Sequence, residues 1–586
     1  MNKKKIKSIL SIATVISTLL AITPISVKAT EYKVTDNKNP YYSEGINNDK
    51  KGKIVSPFKI ESSTIRTPFR MGLESKYYPR PLGLTTSVKK QLSLSTCWAF
   101  TALANVETNL KYKESKEYDF SEEHMRWWAI QDENGFGWNR GDGDGGYELI
   151  SAGYLTSFEG PKNEVDMPYF GEYGGTKPAN FNSAPVSKNV TGLVFVNGDN
   201  QSIKNAIKKY GSIDTGYYHD DNYYNEKTNS YCYFGDELPN HEVLVVGWDD
   251  NYSKDNFGDK AKPSKDGAWL IKNSWGDEWG DGGYFWISYE DADCLNSAYD
   301  YNVAIESTKE VDKDEKLYQH DPYGTVSTYG ITKDGEDLNK LSFANVYDFS
   351  EGYNTLEKVM FLTYSEGANY EISYAPYEDG TINLSKKILL NKGTVAYKGY
   401  MSVDAKNFNL PEGKGAIIVT LDGDASKVQA TLGAEETVNG LFKAEVKKGE
   451  SFYIDGDNVV DINNGIEAER NLSIKALTKK SEVIKPSLSS DTTLETVRVG
   501  NRNIVKSLID DKYYFTAASN RNLYVVRATT SSKKAKILSI NGNPINATAG
   551  QAIINFNVKS KSKTVPIVVQ AEDGTKKTYK VNMARK

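Results

Sequence analysis

Gln91-Leu92-Ser93-Leu94-Ser95-Thr96-Cys97-Trp98-Ala99-Phe100 is the stretch whose reading decides the rest. It sets one thiol at the start of an apolar-periodic run, with an amide side chain six residues before it. From Cys97 onward, Ala99, Leu103, Val106 and Leu110 recur at i, i+4, i+7 and i+11, one face of a helix. Ser95 and Thr96 are the candidate N-caps. Cys97 then falls in the first turn, where the positive end of the helix favours a thiolate. A cysteine before a helix is more often a small buried hydrophobe. Only an imidazole and a charge-stabilising donor elsewhere in the chain would give it another meaning.

At 586 residues the chain is long enough for roughly three domains. Its 39% apolar and 25% charged content is ordinary for globular protein, while 39 tyrosines and 47 glycines lean toward turn-rich β structure. A net charge of −5 gives no basic surface for nucleic acid, so that partner is excluded. Lys3, Lys4, Lys5 and Lys7, an apolar run over 9–25, and Val27-Lys28-Ala29 read as a signal peptide over 1–29. Export to the cell exterior or surface follows. No later stretch reaches the ~18–20 apolar residues that span a bilayer. Three cysteines, Cys97, Cys232 and Cys294, make no disulfide framework, and the odd count leaves at least one free thiol.

Residues 30–78 are polar and interrupted by Pro40, Pro57 and Pro68, and read as a propeptide that occupies a cleft until removed. Residues 121–130 read as a second helix with Glu122 and Glu123 in its first turn. The run Gly141-Asp-Gly-Asp-Gly-Gly146 lacks the ligand spacing of a calcium loop. Its glycines suit close approach of an extended peptide. From 190 to 290 the pattern is strand-rich, with an apolar run after His241 and further strands at 268–272 and 284–289. An early helical part and a late β part predict two lobes, with Cys97 and His241 facing across a cleft. Of the four histidines, His124 reads as surface or packing, and His219 and His320 carry no orienting signal.

The combination is recognisable. Gln91-x5-Cys97-Trp98-Ala99-Phe100, then Asn240-His241-Glu-Val-Leu-Val-Val-Gly247-Trp248, then Lys272-Asn273-Ser274-Trp275-Gly276 through Gly283-Tyr284 resembles the papain-like cysteine peptidases over about residues 80–303. The resemblance implies Cys97 as nucleophile, His241 as its ion-pair partner and general acid, and Asn273 as the group that orients His241. It implies Gln91 and the Cys97 N–H as the oxyanion hole, and no cofactor. On the substrate side it implies Gly145 and Gly146 along the peptide backbone, Trp275 covering the His241–Asn273 bond, and Glu242 lining the second specificity pocket. A basic preference at P2, the second residue before the scissile bond, is the corresponding expectation. Leu94 and Gly143 stand where the family often pairs two cysteines, so packing must hold the nucleophile loop. Cys232 and Cys294 fall near another family disulfide, so the resemblance leaves two readings open, a bridge between them or two free thiols. The Cys97–His241 gap is 144 residues, inside the ~130–150 of the family. The Cys97–Asn273 gap of 176 is longer, and the polar insertion 251–265 supplies much of the excess.

Residues 310 to about 480 read as β, with strands expected at 356–364, 370–374, 416–421 and 472–476. This segment resembles the lectin-like domain of secreted clostridial cell-surface proteases, the surface-layer-processing type. Ser121-Glu-Glu-His-Met-Arg-Trp-Trp128 and Asp249-Asp-Asn-Tyr-Ser-Lys-Asp-Asn256 carry the same resemblance. Asp422, Asp424, Asp455, Asp457 and Asp461 are candidate ligands for a structural Ca²⁺, against the reading of solvated turn acids. Residues 481–490 form a linker, and 491–586 resemble a cadherin-like module with a hairpin over 565–581.

The expected architecture is multidomain: signal peptide 1–29, propeptide 30–78, an α+β papain-like two-lobe catalytic domain over 79–308, a lectin-like β-sandwich over 309–480, and a cadherin-like β-sandwich over 491–586. The expected partners are protein or peptide substrates at a cell surface, with a glycan or cell-wall ligand for the β domains. The alternatives are a surface adhesin with an inactive protease fold, and a cell-wall hydrolase using the same Cys/His chemistry.

Overall fold

The computed structural model describes residues 73–296, 301–350, 352–464, 469–480 and 489–585, with short pieces at 32–34, 52–54, 56 and 63–64. The expected signal peptide and most of the expected linker lie outside the described residues. The chain divides into two compact units, Met1–Ser481 and Glu482–Lys586.

The helical lobe is built on α1 (Cys97–Glu114), α2 (Glu122–Trp128) and α3 (Glu148–Thr156). Its core joins Trp98, Leu103, Val106, Trp128, Trp138, Tyr147 and Tyr154. The expected apolar face of α1, Ala99, Leu103, Val106 and Leu110, is buried throughout. Ser121 caps α2 by accepting from His124 N at 3.0 Å. His124 proves to be a packing residue, bonded through Nδ1 to Tyr154 Oη at 2.8 Å and stacked on Phe181.

The β lobe centres on His241–Asp249, which pairs antiparallel with Ile213–Tyr217 on one side and Ala268–Lys272 on the other. Every residue of this strand is buried, which explains its near-continuous apolar run. The strand-rich reading of 190–290 needs one correction. Residues Asn200–Tyr210 form α4, capped by Asp199, which accepts from Ser202 N at 2.9 Å. Ile203, Ala206, Ile207 and Tyr210 are buried at i, i+3, i+4 and i+7, a helical period that the flanking strands masked.

Past the catalytic domain the chain is β-rich. Lys340–Asp348, Lys414–Asp422 and Asn369–Glu378 pair in one sheet, and Thr355–Thr363 lies in the facing one between Gly399–Asn409 and Ile474–Lys479. The strand expected over 472–476 is interrupted at Ser473. Arg470–Leu472 pairs with Leu432–Glu436, whereas Ile474–Lys479 pairs with Thr355–Thr363, so the ladder changes partner there.

This domain is joined to the catalytic domain by backbone and core. Gly399–Asn409 pairs with the catalytic strand Asn189–Asn197, and Phe442–Lys443 pairs with Gly137–Trp138. Val326, Leu362, Tyr364, Tyr400 and Phe442 share one apolar cluster with the helical lobe.

The unit Glu482–Lys586 is a pair of sheets, of four and five strands, around its own core. The expected hairpin is present as Ser562–Gln570 paired with Lys576–Arg585.

Candidate active site

Cys97 is the first residue of α1 and is fully buried. Thr96 stands at the N-cap position, yet its hydroxyl makes no cap and is 2.9 Å from Tyr169 Oη instead. The loop before it is fixed by backbone contacts where the family often has a disulfide. Ser95 N donates to Gly143 O at 3.0 Å. Leu94, 1% exposed, packs so closely on Gly143 that a methyl group there would lie 3.0 Å from its Cδ2. The expectation that packing holds this loop is met.

Gln91 ties this loop to the opposite lobe. Its N–H donates to Ser274 O at 2.8 Å, and its Oε1 accepts from Ser274 Oγ at 2.8 Å. Its Nε2 donates to Leu94 O at 2.9 Å, so the amide is held by both sides of the cleft.

His241 opens its strand and meets Asn273 Oδ1 through Nε2 at 2.8 Å. Asn273 Oδ1 also accepts from Ser274 N at 2.8 Å, which identifies it as the amide oxygen. Nε2 is therefore the protonated ring nitrogen of the neutral imidazole. Trp275 stacks on the ring at 4.5 Å and 24°, braced edge-on by Trp279. His219 also packs edge-on to Trp275 at 4.8 Å, with Tyr217 and Asp221 on its two nitrogens.

The cleft holds the chain's own leader. Gly146 N donates to Gly52 O at 2.8 Å and Ile54 N donates to Gly146 O at 2.9 Å, so Lys53 pairs with Gly146 as a strand residue would. A methyl group at Gly52 would lie 2.9 Å from Cys97 Sγ, and one at Gly145 would lie 2.7 Å from Gly52 O. Residues 52–54 of the segment read as a propeptide thus lie along Gly145 and Gly146.

Comparison with known proteins gives the same reading. Residues 78–304 match the papain family cysteine protease domain, and residues 317–478 match the lectin like domain. The crystal structure of the cysteine protease and lectin-like domains of Cwp84, a surface layer associated protein of Clostridium difficile, is 39% identical with a TM-score of 0.69. The match covers 77% of this chain and 98% of that one. The chain belongs to the papain family of cysteine proteases. A structure of clostridial Cwp84 after propeptide cleavage is 42% identical, with 70% of this chain and all of that one covered and a TM-score of 0.65. Fruit bromelain of Ananas comosus is 31% identical over 210 residues, 35% of this chain and 52% of bromelain. Cysteine proteinase A of Leishmania mexicana is 28% identical over 235 residues, 39% of this chain and 59% of the relative. The chain spans between half and two thirds of the length of these curated relatives.

Several expectations within this papain-family site change. The thiol was expected to be acidic at the helix start. Burial instead pushes it well above its ordinary range, and the charge of Glu242 adds to this, with Lys53 opposing. Gly52 of the leader lies against the sulfur and adds to that burial. Of the two readings left open for Cys232 and Cys294, the structure has the free one: both are buried, unbridged thiols. Cys232 packs with Phe257, Ala261 and Ala268, whereas Cys294 packs in the cluster of Tyr217, Trp248 and Ile287. Trp275, by contrast, stacks on His241 as expected of a residue covering the His241–Asn273 bond.

The five aspartates named as Ca²⁺ candidates are not gathered. Asp422 pairs with Lys340 and Asp455 with Lys333, and Asp461 accepts from Gly449 N and Asn463 N. Among the described residues, the group of acidic side chains close enough to share one cation is Glu148, Asp214 and Glu242, within 4.8 Å of one another. Sequence reasoning found Glu242 but missed Glu148 and Asp214. The available signal was Asp214 itself, an acid inside the buried strand Ile213–Tyr217.

Proposed function

We propose that this papain-family protease is an exported endopeptidase acting on proteins at or near a bacterial surface, and that its leader holds it latent. In this reading Cys97 attacks the scissile carbonyl, and its sulfur forms a thioester as the C–N bond breaks. His241 takes the thiol proton through Nδ1 and returns it to the leaving amine. Asn273 keeps the ring in the tautomer that allows this. Gln91 and the Cys97 N–H steady the oxyanion, a contribution of about 3 kcal/mol per donor. Water then hydrolyses the thioester and restores the thiol. The observation that carries the reading is the leader itself. An extended peptide already lies on Gly146 with its Gly52 against the sulfur, the position a substrate must take.

The surface location rests on the expected signal peptide and on the likeness to a surface layer associated protein. Among the described residues no helix is long and apolar enough to cross a membrane. The test compares the leader-free chain with its Cys97→Ala variant on casein and on purified peptidoglycan. Casein cleavage by the unmodified enzyme alone is the expected result. Release from peptidoglycan only, or equal casein cleavage by both proteins, overturns it.

A further inference from the structure

Tyr169 reaches the nucleophile loop from a separate segment of the helical lobe. Its hydroxyl donates to Gln91 O at 2.8 Å and lies 2.9 Å from Thr96 Oγ1. A phenol has a single proton to give, and here it goes to Gln91 O. The other bond therefore runs from the Thr96 hydroxyl to the phenol oxygen. The ring packs edge-on to Phe100 at 4.9 Å and 88°. The backbone is anchored as well, since Tyr169 N donates to Glu164 Oε1 at 2.7 Å and Phe170 N to Glu123 Oε2 at 3.3 Å.

The residues joined by this hydroxyl bracket the oxyanion hole. Gln91 supplies the side-chain donor, and the peptide bond after Thr96 carries the Cys97 N–H. Between them the chain turns through Leu92 at a φ of 57°. A leucine in the left-handed region is costly and stays there only where its surroundings fix it. The Tyr169 segment does so. A methyl group at Gly171 would lie 2.5 Å from Leu92 Cδ1, so Leu92 packs directly on that backbone.

We propose that Tyr169 is a positioning residue for the oxyanion hole: by relaying Thr96 to Gln91, its hydroxyl sets the spacing between the Gln91 side-chain amide and the Cys97 N–H. The inference rests on the peptidase reading above. The bonds from Ser274 hold Gln91 to the β lobe, whereas the Tyr169 hydroxyl holds it to the start of α1. The two donors lie six residues apart in the chain and must meet one oxygen as it gains charge. Such donors are effective because they are in place beforehand and need no reorganisation when the charge develops.

The first measurement compares Tyr169→Phe with the unmodified leader-free enzyme on one peptide. The variant keeps the ring on Phe100 and loses both hydroxyl bonds. kcat should fall about 10-fold with KM unchanged, the scale of one hydrogen bond withdrawn from the transition state. The second measurement separates the hole from the nucleophile. When a peptide aldehyde is added, Cys97 Sγ bonds to its carbonyl carbon and the former carbonyl oxygen takes the place of the oxyanion. Its inhibition constant should rise about 10-fold in Tyr169→Phe. Iodoacetamide alkylates the same sulfur with no oxyanion formed, and its rate should stay within ~2-fold. A side chain that only supported the fold would slow both reactions or neither. Thr96→Val breaks the relay at its other end and should weaken the aldehyde ~3-fold with alkylation unchanged, whereas Thr96→Ser should keep the unmodified affinity. Should Tyr169→Phe not fold, the two Thr96 variants decide by the same reagents.

Unchanged kcat and aldehyde affinity in Tyr169→Phe and Thr96→Val, or alkylation slowed as much as aldehyde binding is weakened, overturns the inference alone. An unmodified enzyme that cleaves no peptide and binds no aldehyde overturns the peptidase reading, and this inference with it.

Discussion

Asn273 holds its amide oxygen between two donors, His241 Nε2 and Ser274 N, and so cannot turn its nitrogen toward the ring without losing both bonds. That fixes the tautomer of His241, while the Trp275 stack fixes only the ring plane. Asn273→Ala should therefore lower kcat/KM of the leader-free enzyme about 10²-fold, the range expected when a general acid–base group is present but poorly oriented. The loss should fall on kcat, with far-ultraviolet circular dichroism unchanged. Steady-state kinetics on the best peptide checks this, and a loss confined to KM would assign Asn273 to substrate binding instead. Cys97, His241, Asn273 and Gln91 were legible because each lies in a short stretch with its own Trp or Gly surroundings. Glu148 and Asp214 were not, because their grouping with Glu242 appears only when three separate elements converge on one point. The raised thiol was hidden for the same reason: a sequence shows the helix that lowers its pKa but not the segment lying over it.

At the scale of elements, α1 and the strand His241–Asp249 were readable from period and from apolar run length. Helix α4 was not, because its apolar stripe interrupts a long strand-rich segment. The beginning of α2 carries a second kind of information. Lys89 gathers Glu107, Asp119 and Glu122 beneath it, and Lys272 lies close to Glu107 and Glu122. Burial raises Glu164 to about 7 and lowers Lys272 to about 8. Between about 4.5 and about 7 the native state keeps a proton on Glu164 that the unfolded chain has released, so stability falls as pH rises. Between about 8 and about 10.5 the unfolded chain holds a proton on Lys272 that the native state has lost, so stability rises again. Glu164 by itself should thus take roughly 1–2 kcal/mol from the stability of the catalytic domain between pH 5 and pH 7.5, after discounting for its partial exposure. All nine tryptophans lie between Trp98 and Trp286, so fluorescence-detected urea unfolding follows probes placed in this domain. Glu164→Gln should flatten the acid limb, and an unaltered slope in that variant sinks the assignment.

At the scale of the molecule, the sequence reading drew a boundary near residue 308 that strand pairings cross. Phe442, 2% exposed and far along the lectin-like domain, packs on Trp138 of the catalytic domain at 4.7 Å and 63°. Its strand pairs with that of Trp138, although about three hundred residues separate them, and no periodicity reports a contact of that range. A protease core that takes side chains from the next domain cannot be counted as self-sufficient, since several kilocalories of apolar burial are on loan against a net stability of only ~5–15 kcal/mol. Phe442→Ala should cost about 3–5 kcal/mol, the range for emptying a buried aromatic site. The tryptophan-reported transition should then fall by roughly 5–10 °C, although every residue of the catalytic site is untouched. Because the core is shared, far-ultraviolet circular dichroism of a chain ending at residue 481 should show the lectin-like strands melting with the tryptophans in one step. Two separate transitions, or a tryptophan signal that Phe442→Ala leaves in place, would mean that the lectin-like domain sits beside the protease without supporting it.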